Sequence, residues 1–300
     1  MPRAPTFLMT DPAEYAVSYR INPWMRPQAW SEGGQALRRQ AQRSSQALAA
    51  ALRGLGAQTH WAPAAAGLPD LVFPANAAVV LDGRALLARF RCPERRGEEA
   101  VFRAVFERLR ARGVISELAE PFGSRFQEGA GDAIWDADRG WFWAGWGQRS
   151  DRDAGPVLAD AFGRPVVALQ LATPCFYHLD TCFCPLPGGE VLYYPAAFTP
   201  DALRTIRDRL DPDDLIEASE ADAAGFCANA VCLGSDIVMA RPPEPLRRTL
   251  EERGYRVVAV DLSPFILSGG AAFCMTLRLD LTSAPKEAPH DQHLAARALA

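Results

Sequence analysis

The 300-residue sequence lacks the features that mark membrane, nucleic-acid-binding and disulfide-rich proteins. No uninterrupted apolar run reaches the length of a membrane span, and Pro5, Thr6 and Asp11 break up any apolar signal core. No block of five like charges occurs and the net charge is only −4, which argues against a nucleic-acid partner. The seven cysteines are scattered and odd in number, so we expect reduced thiols and a cytoplasmic protein.

What is present is an ordinary globular composition, 49% hydrophobic and 23% charged, in a chain long enough to bury a large core. Proline and glycine are spread through the loops, which predicts a single domain over residues 1–282. Residues 283–300 are polar and rich in proline and alanine, so we expect a flexible C-terminal tail.

Strand and helix signals alternate along the chain. A breaker-free run predicts a helix over 35–53, and the Asp82-Gly83 turn signal predicts a hairpin over 78–90. The other predicted elements are helices at 98–112, 152–163, 200–210 and 244–253, hairpins at 133–146 and 176–196, a strand pair at 226–239, and strands at 114–119, 165–172, 256–261 and 271–281. The repeated order of hairpin, helix and strand predicts an α/β fold with internal structural symmetry.

The segment LPDLVFPANAAVV, residues 68–80, places Asp70 in an apolar setting and Asn76 just before a hydrophobic strand. An acid and an amide at this separation can supply acceptors for amine or guanidinium N–H groups. The alternative is that both are turn residues beside Pro69 and Pro74. The sequence alone leaves both interpretations open.

In FQEGAGDAIWD, residues 126–136, Glu128 and Asp132 bracket two glycines. Glycine lets the backbone approach a ligand closely, and the carboxylates would attract a cation. A turn with solvated acids is the alternative. A phosphate-binding loop is disfavoured, because the acids would repel an anion and no Lys-Ser/Thr pair follows.

PCFYHLDTCFCPL, residues 174–186, is the densest polar cluster. If it forms a strand, His178, Asp180, Cys182 and Cys184 share one face, which pairs a general base with an orienting carboxylate. A zinc site that also uses Cys175 is disfavoured, because the spacings do not match paired C-x-x-C motifs. A plain core histidine remains the other alternative.

In SGGAAFCMTLRLD, residues 268–280, Gly269-Gly270 predicts a bend, and Cys274 alternates with the polar residues of the strand that follows. An inert core cysteine belongs on the opposite face. The pattern therefore favours a reactive thiol that needs a base such as His178. Arg95 and Arg149 lie in loops, where each is either a solvated charge or a clamp for a substrate carboxylate.

Together with INPWM at 21–25, these motifs resemble, in order, the guanidino-group-modifying or pentein superfamily. That superfamily includes arginine deiminase, dimethylarginine dimethylaminohydrolase and the amidinotransferases, and the sequence is most similar to the arginine dihydrolase domain of cyanobacterial type. The resemblance runs from residue 7 to residue 280. It implies a five-bladed α/β propeller of pseudo-fivefold ββαβ modules.

The resemblance also implies a role for each candidate. Cys274 would be the nucleophile, His178 the general acid/base, and Glu128 the carboxylate that holds the guanidinium and completes the triad. Asp180 and Asn76 would contact the guanidinium. The remaining implied contacts are Asp70 with the substrate α-amino group, Arg95 and Arg149 with its α-carboxylate, and Asn22 in a loop over the site.

The implied activity is hydrolysis of arginine to ornithine, carbon dioxide and two ammonia through a covalent thiouronium-type intermediate. Deiminase and dimethylaminohydrolase relatives carry an acid where this sequence has Asn76, and Pro74 stands where threonine is usual. Single-round hydrolysis to citrulline, amidino transfer and a catalytically silent guanidino-binding protein remain alternatives. No metal, cofactor, nucleic acid or membrane partner is implied, a homo-oligomer is left open, and no ornithine-processing activity is expected in this chain.

Overall fold

The computed structural model describes residues 4–284, so most of the predicted tail at 283–300 lies outside the described residues. The described strands are β1 Thr6–Thr10, β2 Gln58–Ala62, β3 Ala78–Leu81, β4 Arg84–Leu87, β5 Glu117–Ala119, β6 Ala133–Asp136, β7 Trp141–Trp146, β8 Val166–Gln170, β9 Phe183–Pro185, β10 Val191–Tyr193, β11 Leu215–Glu217, β12 Val231–Leu233, β13 Asp236–Ala240, β14 Arg256–Val260 and β15 Leu277–Arg278. The helices are α1 Pro27–Gly54, interrupted at Gly34, α2 Gly97–Ala111, α3 Ala154–Phe162, α4 Pro200–Arg207, α5 Glu220–Ala224, α6 Glu244–Glu252 and α7 Ser263–Ile266.

Within residues 4–284 the strands form five three-stranded sheets: β3-β4-β5, β6-β7-β8, β11-β10-β9, β12-β13-β14 and β15-β1-β2. In each sheet the central strand is antiparallel to one neighbour and parallel to the other. A parallel pair needs a crossover connection, and a helix supplies it between the central strand and its parallel partner. This order confirms the predicted rhythm of hairpin, helix and strand.

The hairpin turn between β3 and β4 follows the sequence signal closely. Asp82 and Gly83 both have positive φ, 52° and 74°, the pattern of the tight turn whose twist matches two antiparallel strands. Helix α2 packs on one face of this sheet, where Phe102 and Phe106 are buried against apolar side chains of β3 and β4. Burying one such ring stabilises the fold by about 1.5–3 kcal/mol.

The fifth sheet joins the two ends of the described chain. Central strand β1 pairs antiparallel with β15, with Phe7 opposite Arg278, and parallel with β2. Neither β1 nor β2 was predicted from the sequence. This pairing holds the segment that precedes β15, which contains Cys274, beside the beginning of the chain.

Two strand predictions at the polar clusters are wrong. Residues Leu179–Thr181 form a 3-10 turn and β9 begins only at Phe183, so His178 and Asp180 do not alternate along a strand. The Thr181 hydroxyl, which donates to the His178 carbonyl oxygen at 2.6 Å, closes this turn locally.

The strand predicted over 271–281 is reduced to the two residues of β15. Ahead of it the backbone makes a tight turn, in which the Met275 N–H donates to the Ala271 carbonyl oxygen at 3.1 Å. The Thr276 hydroxyl donates to the Ala272 carbonyl oxygen at 3.0 Å and reinforces the turn. Among the described residues, no helix combines the length and the apolar character needed to cross a membrane.

Candidate active site

Six of the nine predicted site residues line one pocket of about 250 Å³: Asn22, Asp70, Asn76, Arg95, Arg149 and Cys274. The other three, Glu128, His178 and Asp180, are buried and hydrogen-bond to members of that set. Carboxylate, amide and guanidinium groups line this pocket together with a thiol, so it suits a small polar molecule. Segments far apart in sequence thus meet at one place.

Cys274 lies in the turn before β15 and is buried, not on the polar face of a strand as predicted. Its Sγ lies 3.1 Å from Oδ2 of Asp180 and 3.1 Å from Nδ2 of Asn229. Burial and the negative charge of Asp180 both raise the pKa of the Cys274 thiol. Cys274 is therefore a protonated thiol that donates to Asp180.

His178 and Glu128 form a buried pair, with Nε2 of the imidazole 2.7 Å from Oε2 of the carboxylate. Burial alone would raise the pKa of Glu128, but Arg149, 3.2 Å from the same oxygen, and His178 hold it below its usual value. Because Glu128 is ionised, Nε2 of His178 carries the proton and donates to it. Nδ1 of a neutral His178 is then the basic nitrogen.

The orientation of the Asn76 amide follows from its neighbours. Nη1 of Arg95 donates to Oδ1 at 2.8 Å, so Oδ1 faces the guanidinium. Nδ2 therefore points the other way, donating to the Glu128 carbonyl oxygen at 3.2 Å and lying 3.4 Å from Nδ1 of His178. Pro74 begins the 3-10 turn Pro74–Asn76, where a missing N–H costs nothing, so it is compatible with this geometry.

The two predicted carboxylate clamps are already paired within the protein. Arg95 donates through Nε and Nη2 to both oxygens of buried Glu98, at 2.9 and 2.8 Å. Arg149 contacts Glu128 and donates to the carbonyl oxygen of Ile21 at 3.0 Å. Through these contacts both arginines hold other side chains and loops in place.

Two carboxylates in the site are incompletely satisfied. Asp70 accepts a hydrogen bond from the Tyr19 hydroxyl through Oδ2 at 2.8 Å, while its buried Oδ1 has no partner among residues 4–284. Oδ1 of Asp180 is likewise buried without a partner in the described part of the chain. Since an unpaired buried polar atom costs about 1–3 kcal/mol, both oxygens point to a ligand rich in N–H donors.

Burial raises the pKa of Asp180 to about 7 and that of Asp132 to about 6. Asp132 accepts from the Ser150 hydroxyl at 2.6 Å and from the Leu179 N–H at 3.0 Å. It therefore anchors the turn that carries His178 and Asp180, whereas the sequence suggested that Asp132 would attract a cation.

Comparison with known proteins identifies the family. A family profile described as N,N dimethylarginine dimethylhydrolase, eukaryotic, matches residues 18–281. The chain belongs to this family. The resemblance to guanidino-modifying enzymes, and to arginine dihydrolases among them, is confirmed.

Two similar relatives are named enzymes. The bifunctional arginine dihydrolase/ornithine cyclodeaminase ArgZ of Synechocystis sp. is 40% identical over 274 residues, which are 91% of this chain and 37% of ArgZ. The dimethylarginine dimethylaminohydrolase of Mycobacterium tuberculosis is 34% identical over 278 residues, 93% of this chain and 87% of that enzyme. The chain thus spans little more than a third of the cyanobacterial relative.

The fold also matches a solved member of the group. The N-terminal domain of ArgZ bound to product superimposes with a TM-score of 0.86 at 39% identity, covering 94% of this chain and 100% of that domain. The match covers nearly all of this chain, including its five three-stranded sheets and the turn that carries Cys274 before β15.

In this family member the alternative zinc site of the 174–186 segment does not form. Cys182 donates to the Leu179 carbonyl oxygen, and Cys184 lies 4.0 Å from Cys232 on another sheet. No group of three or more His, Cys, Asp or Glu side chains within residues 4–284 is arranged to hold a metal ion.

Asn22 shapes the INPWM segment at the rim of the pocket. Its Oδ1 accepts from the N–H groups of Trp24 and Met25, and its Nδ2 donates to the Ser268 carbonyl oxygen at 3.0 Å. The adjacent glycines are sterically required: Gly269 has φ +88°, and a Cβ on Gly270 would lie 2.5 Å from the Phe73 ring. The predicted bend at this glycine pair is confirmed.

Three further residues of the site were missed from the sequence: Tyr19, Glu98 and Asn229. Glu98 had a readable signal, because it follows Arg95 at the i,i+3 spacing that favours ion pairs. Asn229 had a weaker one, since asparagine is disfavoured within the strand pair predicted over 226–239. The residue lies instead in the connection before β12.

Proposed function

We propose that the protein is a cysteine-dependent hydrolase of the guanidino group of arginine, and specifically an arginine dihydrolase. The observation that carries the proposal is the pocket in which Cys274 faces Asp180, while Asp70 and Asp180 each keep a buried oxygen without a partner in the described chain. Arginine carries two cationic groups that match these oxygens, an α-amino group and a guanidinium. The identity of 40% to an arginine dihydrolase over 91% of this chain supports the same substrate.

The first round begins when the guanidinium binds Asp180 and displaces the thiol hydrogen bond. His178 takes the thiol proton at Nδ1, and the thiolate attacks the guanidino carbon. The imidazolium then protonates one terminal nitrogen, which leaves as ammonia, and a thiouronium intermediate remains on Cys274. Glu128 stabilises the imidazolium throughout, as a carboxylate 2.7 Å from Nε2 is placed to do.

Water completes the round. His178 removes a proton from a water molecule whose oxygen attacks the thiouronium carbon. Collapse of the adduct breaks the carbon–sulfur bond, and the hydroxyl proton of the adduct passes to sulfur, so that citrulline forms and the thiol is restored. His178 then releases its proton to solvent. In a second round the thiolate displaces the terminal ureido nitrogen as ammonia, which leaves a carbamoyl thioester. Its hydrolysis gives a carbamate that decomposes to ornithine and carbon dioxide. The scheme uses only these side chains and water.

The orientation of Asn76 supports the second round. Because Arg95 occupies Oδ1, Asn76 presents an N–H group towards His178, and an N–H suits the oxygen of a neutral ureido group. A carboxylate at this position would favour a guanidinium and repel that oxygen. The related dimethylarginine dimethylaminohydrolase of M. tuberculosis supports a second candidate, single-round release of an amine with citrulline as the end product.

The architecture proposed with this function is a single catalytic domain over residues 1–282, in which the five sheets are blades about a pseudo-fivefold axis. The repeated ββαβ order and the match to the ArgZ domain support it. On this proposal Arg95 and Arg149 bind the substrate α-carboxylate, Asp70 binds the α-amino group, and Asn22 shapes the covering loop. The partner is a small guanidino compound in the cytoplasm, and a homo-oligomer remains open.

The test is to identify the products formed by the purified protein. With L-arginine we expect ornithine and ammonia in a ratio of about 1:2, with citrulline only transient, and no turnover by a folded Cys274→Ser variant. Citrulline as the end product would establish the single-round alternative, and faster release of dimethylamine from dimethylarginine would favour that substrate. A new guanidino compound formed with an added amine would instead establish amidino transfer. Arginine binding without turnover, with an unactivated Cys274, would establish a silent binding protein.

A further inference from the structure

The side chain of Asn229 is buried next to the nucleophile, and its amide makes four hydrogen bonds. Nδ2 donates to the Asp180 carbonyl oxygen at 3.0 Å and to Sγ of Cys274 at 3.1 Å. Oδ1 accepts from the backbone N–H groups of Ala271 at 3.0 Å and Cys274 at 3.1 Å. An amide offers two donors and two acceptor sites, so Asn229 uses all of them.

These partners fix the orientation of the Asn229 amide. Two backbone N–H groups face one atom, which must be the oxygen, and a carbonyl oxygen faces the other, which must be the nitrogen. A flipped amide would place donor against donor and acceptor against acceptor. The sulfur of Cys274 is therefore opposite an N–H donor.

The backbone around Asn229 is held in a costly conformation. Phe226 is a fully buried non-glycine residue with φ +55°, and its carbonyl oxygen accepts from the Asn229 N–H at 3.1 Å. The Asn229 carbonyl oxygen in turn accepts from the Phe273 N–H at 3.3 Å. Such conformations cost about 1–3 kcal/mol and cluster at functional sites, where the surroundings over-determine them.

We propose that Asn229 is a further catalytic residue of the reaction proposed above: it positions the Cys274 turn through Oδ1 and stabilises the thiolate through its Nδ2 hydrogen bond. The inference rests on the proposed function. Asp180 and Asn229 act on the same sulfur in opposite senses, because a carboxylate accepts from a thiol and an N–H donates to a thiolate. When the substrate cation engages Asp180, the Asn229 N–H is the contact that matches the charged sulfur.

The test separates the two halves of the Asn229 amide. Asn229→Asp keeps an oxygen for the two backbone N–H groups and removes the donor to sulfur. Thr276→Val is the matched control, since Thr276 braces the same turn without a hydrogen bond to Sγ. The measurement is the rate at which iodoacetamide alkylates Cys274 from pH 6 to 10, read by mass spectrometry of the peptide, with Cys274→Ser as the blank.

We expect Asn229→Asp to alkylate about 10- to 100-fold more slowly at neutral pH and to shift its alkylation profile to higher pH by about 1 to 2, because it loses one hydrogen bond to the thiolate and places a second carboxylate beside the sulfur. Thr276→Val should lower the melting temperature but keep the wild-type profile. A folded Asn229→Asp with the wild-type profile would overturn the proposal.

Asn229→Ser removes the amide donor without adding a charge and is measured beside Asn229→Asp, so a rate within twofold of Thr276→Val in Asn229→Ser would overturn the proposal equally. Alkylation needs no substrate, so it decides the role of Asn229 even if arginine is not turned over. Conversely, normal arginine hydrolysis combined with an unchanged profile would reject only the role of Asn229.

Discussion

Sγ of Cys274 lies 3.1 Å from Oδ2 of Asp180, and the other oxygen of that carboxylate is buried without a partner among residues 4–284. One carboxylate thus holds the proton of the nucleophile and offers a free acceptor to a cation. A guanidinium that binds there neutralises the negative charge of Asp180, which otherwise raises the pKa of the Cys274 thiol. Substrate binding and activation of the nucleophile then become a single event.

Arginine binding should depend on the protonation of Asp180, whose pKa burial raises to about 7. Only the ionised carboxylate pairs with a guanidinium, so affinity should reach a plateau above pH 7 and weaken up to tenfold per pH unit below it. Calorimetric titration of the Cys274→Ser variant from pH 5.5 to 8.5 measures this. An additional Asp180→Asn substitution should make binding weak at every pH, and a pH dependence that survives it would assign the titration to another group.

The buried ion pair of Arg95 with Glu98 should be essential to the fold and to the position of Asn76. Glu98→Gln leaves a buried guanidinium without its counter-charge and should lower the free energy of unfolding by about 3–5 kcal/mol, measured with urea. Glu117→Gln is the matched control, because Glu117 pairs with Arg84 at the surface and its loss should cost less than about 1 kcal/mol. Equal losses in the two variants would contradict this account.

Replacement of Asn76 by aspartate should separate the two rounds of hydrolysis. The change removes the N–H directed at His178 and adds a negative charge, which favours a guanidinium over a ureido group. We expect Asn76→Asp to keep arginine consumption within about tenfold while ornithine formation falls about 100-fold or more and citrulline accumulates. Citrulline supplied as the substrate is the direct control, and ornithine formed from it at the wild-type rate would refute the assignment.

The packing of Gly131 against Asn76 predicts a variant defective mainly in catalysis. A Cβ at Gly131 would lie 2.4 Å from Nδ2 of Asn76 and 3.5 Å from the His178 ring, so the amide must move. Since displacements near 1 Å can cost about 100-fold, we expect kcat/KM of Gly131→Ala to fall by about that factor. Gly54→Ala, where a Cβ meets nothing within 4 Å, should leave the activity unchanged. Wild-type activity in Gly131→Ala would show that Asn76 tolerates displacement.

Most of the regular structure could be predicted from local signals. The Asp82-Gly83 turn and the helices predicted over 35–53 and 98–112 follow from backbone preference and apolar spacing, which act over a few residues. The prediction failed where side chains bond to their own backbone. At Thr181 and Thr276, hydroxyl groups close turns that period-two alternation had assigned to strands.

The sequence predicts which residues form the candidate site better than it predicts how they are arranged. The implied residues do meet around one pocket, but Cys274 is buried because the turn with Asp180 and the connection with Asn229 lie against it, and strand alternation does not report such cover. Asn229 is separated from Cys274 by 45 residues and from Asp180 by 49, so no short motif contains the contact. A single sequence therefore gives little signal for a residue such as Asn229, whose role is to hold other residues in position.

The pairing of β1 with β15 bears on when the protein becomes active during its synthesis. Phe7 leaves the ribosome before its partner Arg278, which follows 271 residues later. At about 5–20 residues per second, the sheet beside the Cys274 turn stays unfinished for roughly 14 seconds or more. A nascent chain would therefore carry its acids and imidazole long before it carries a nucleophile, and chemistry would begin only after β1 and β15 have paired.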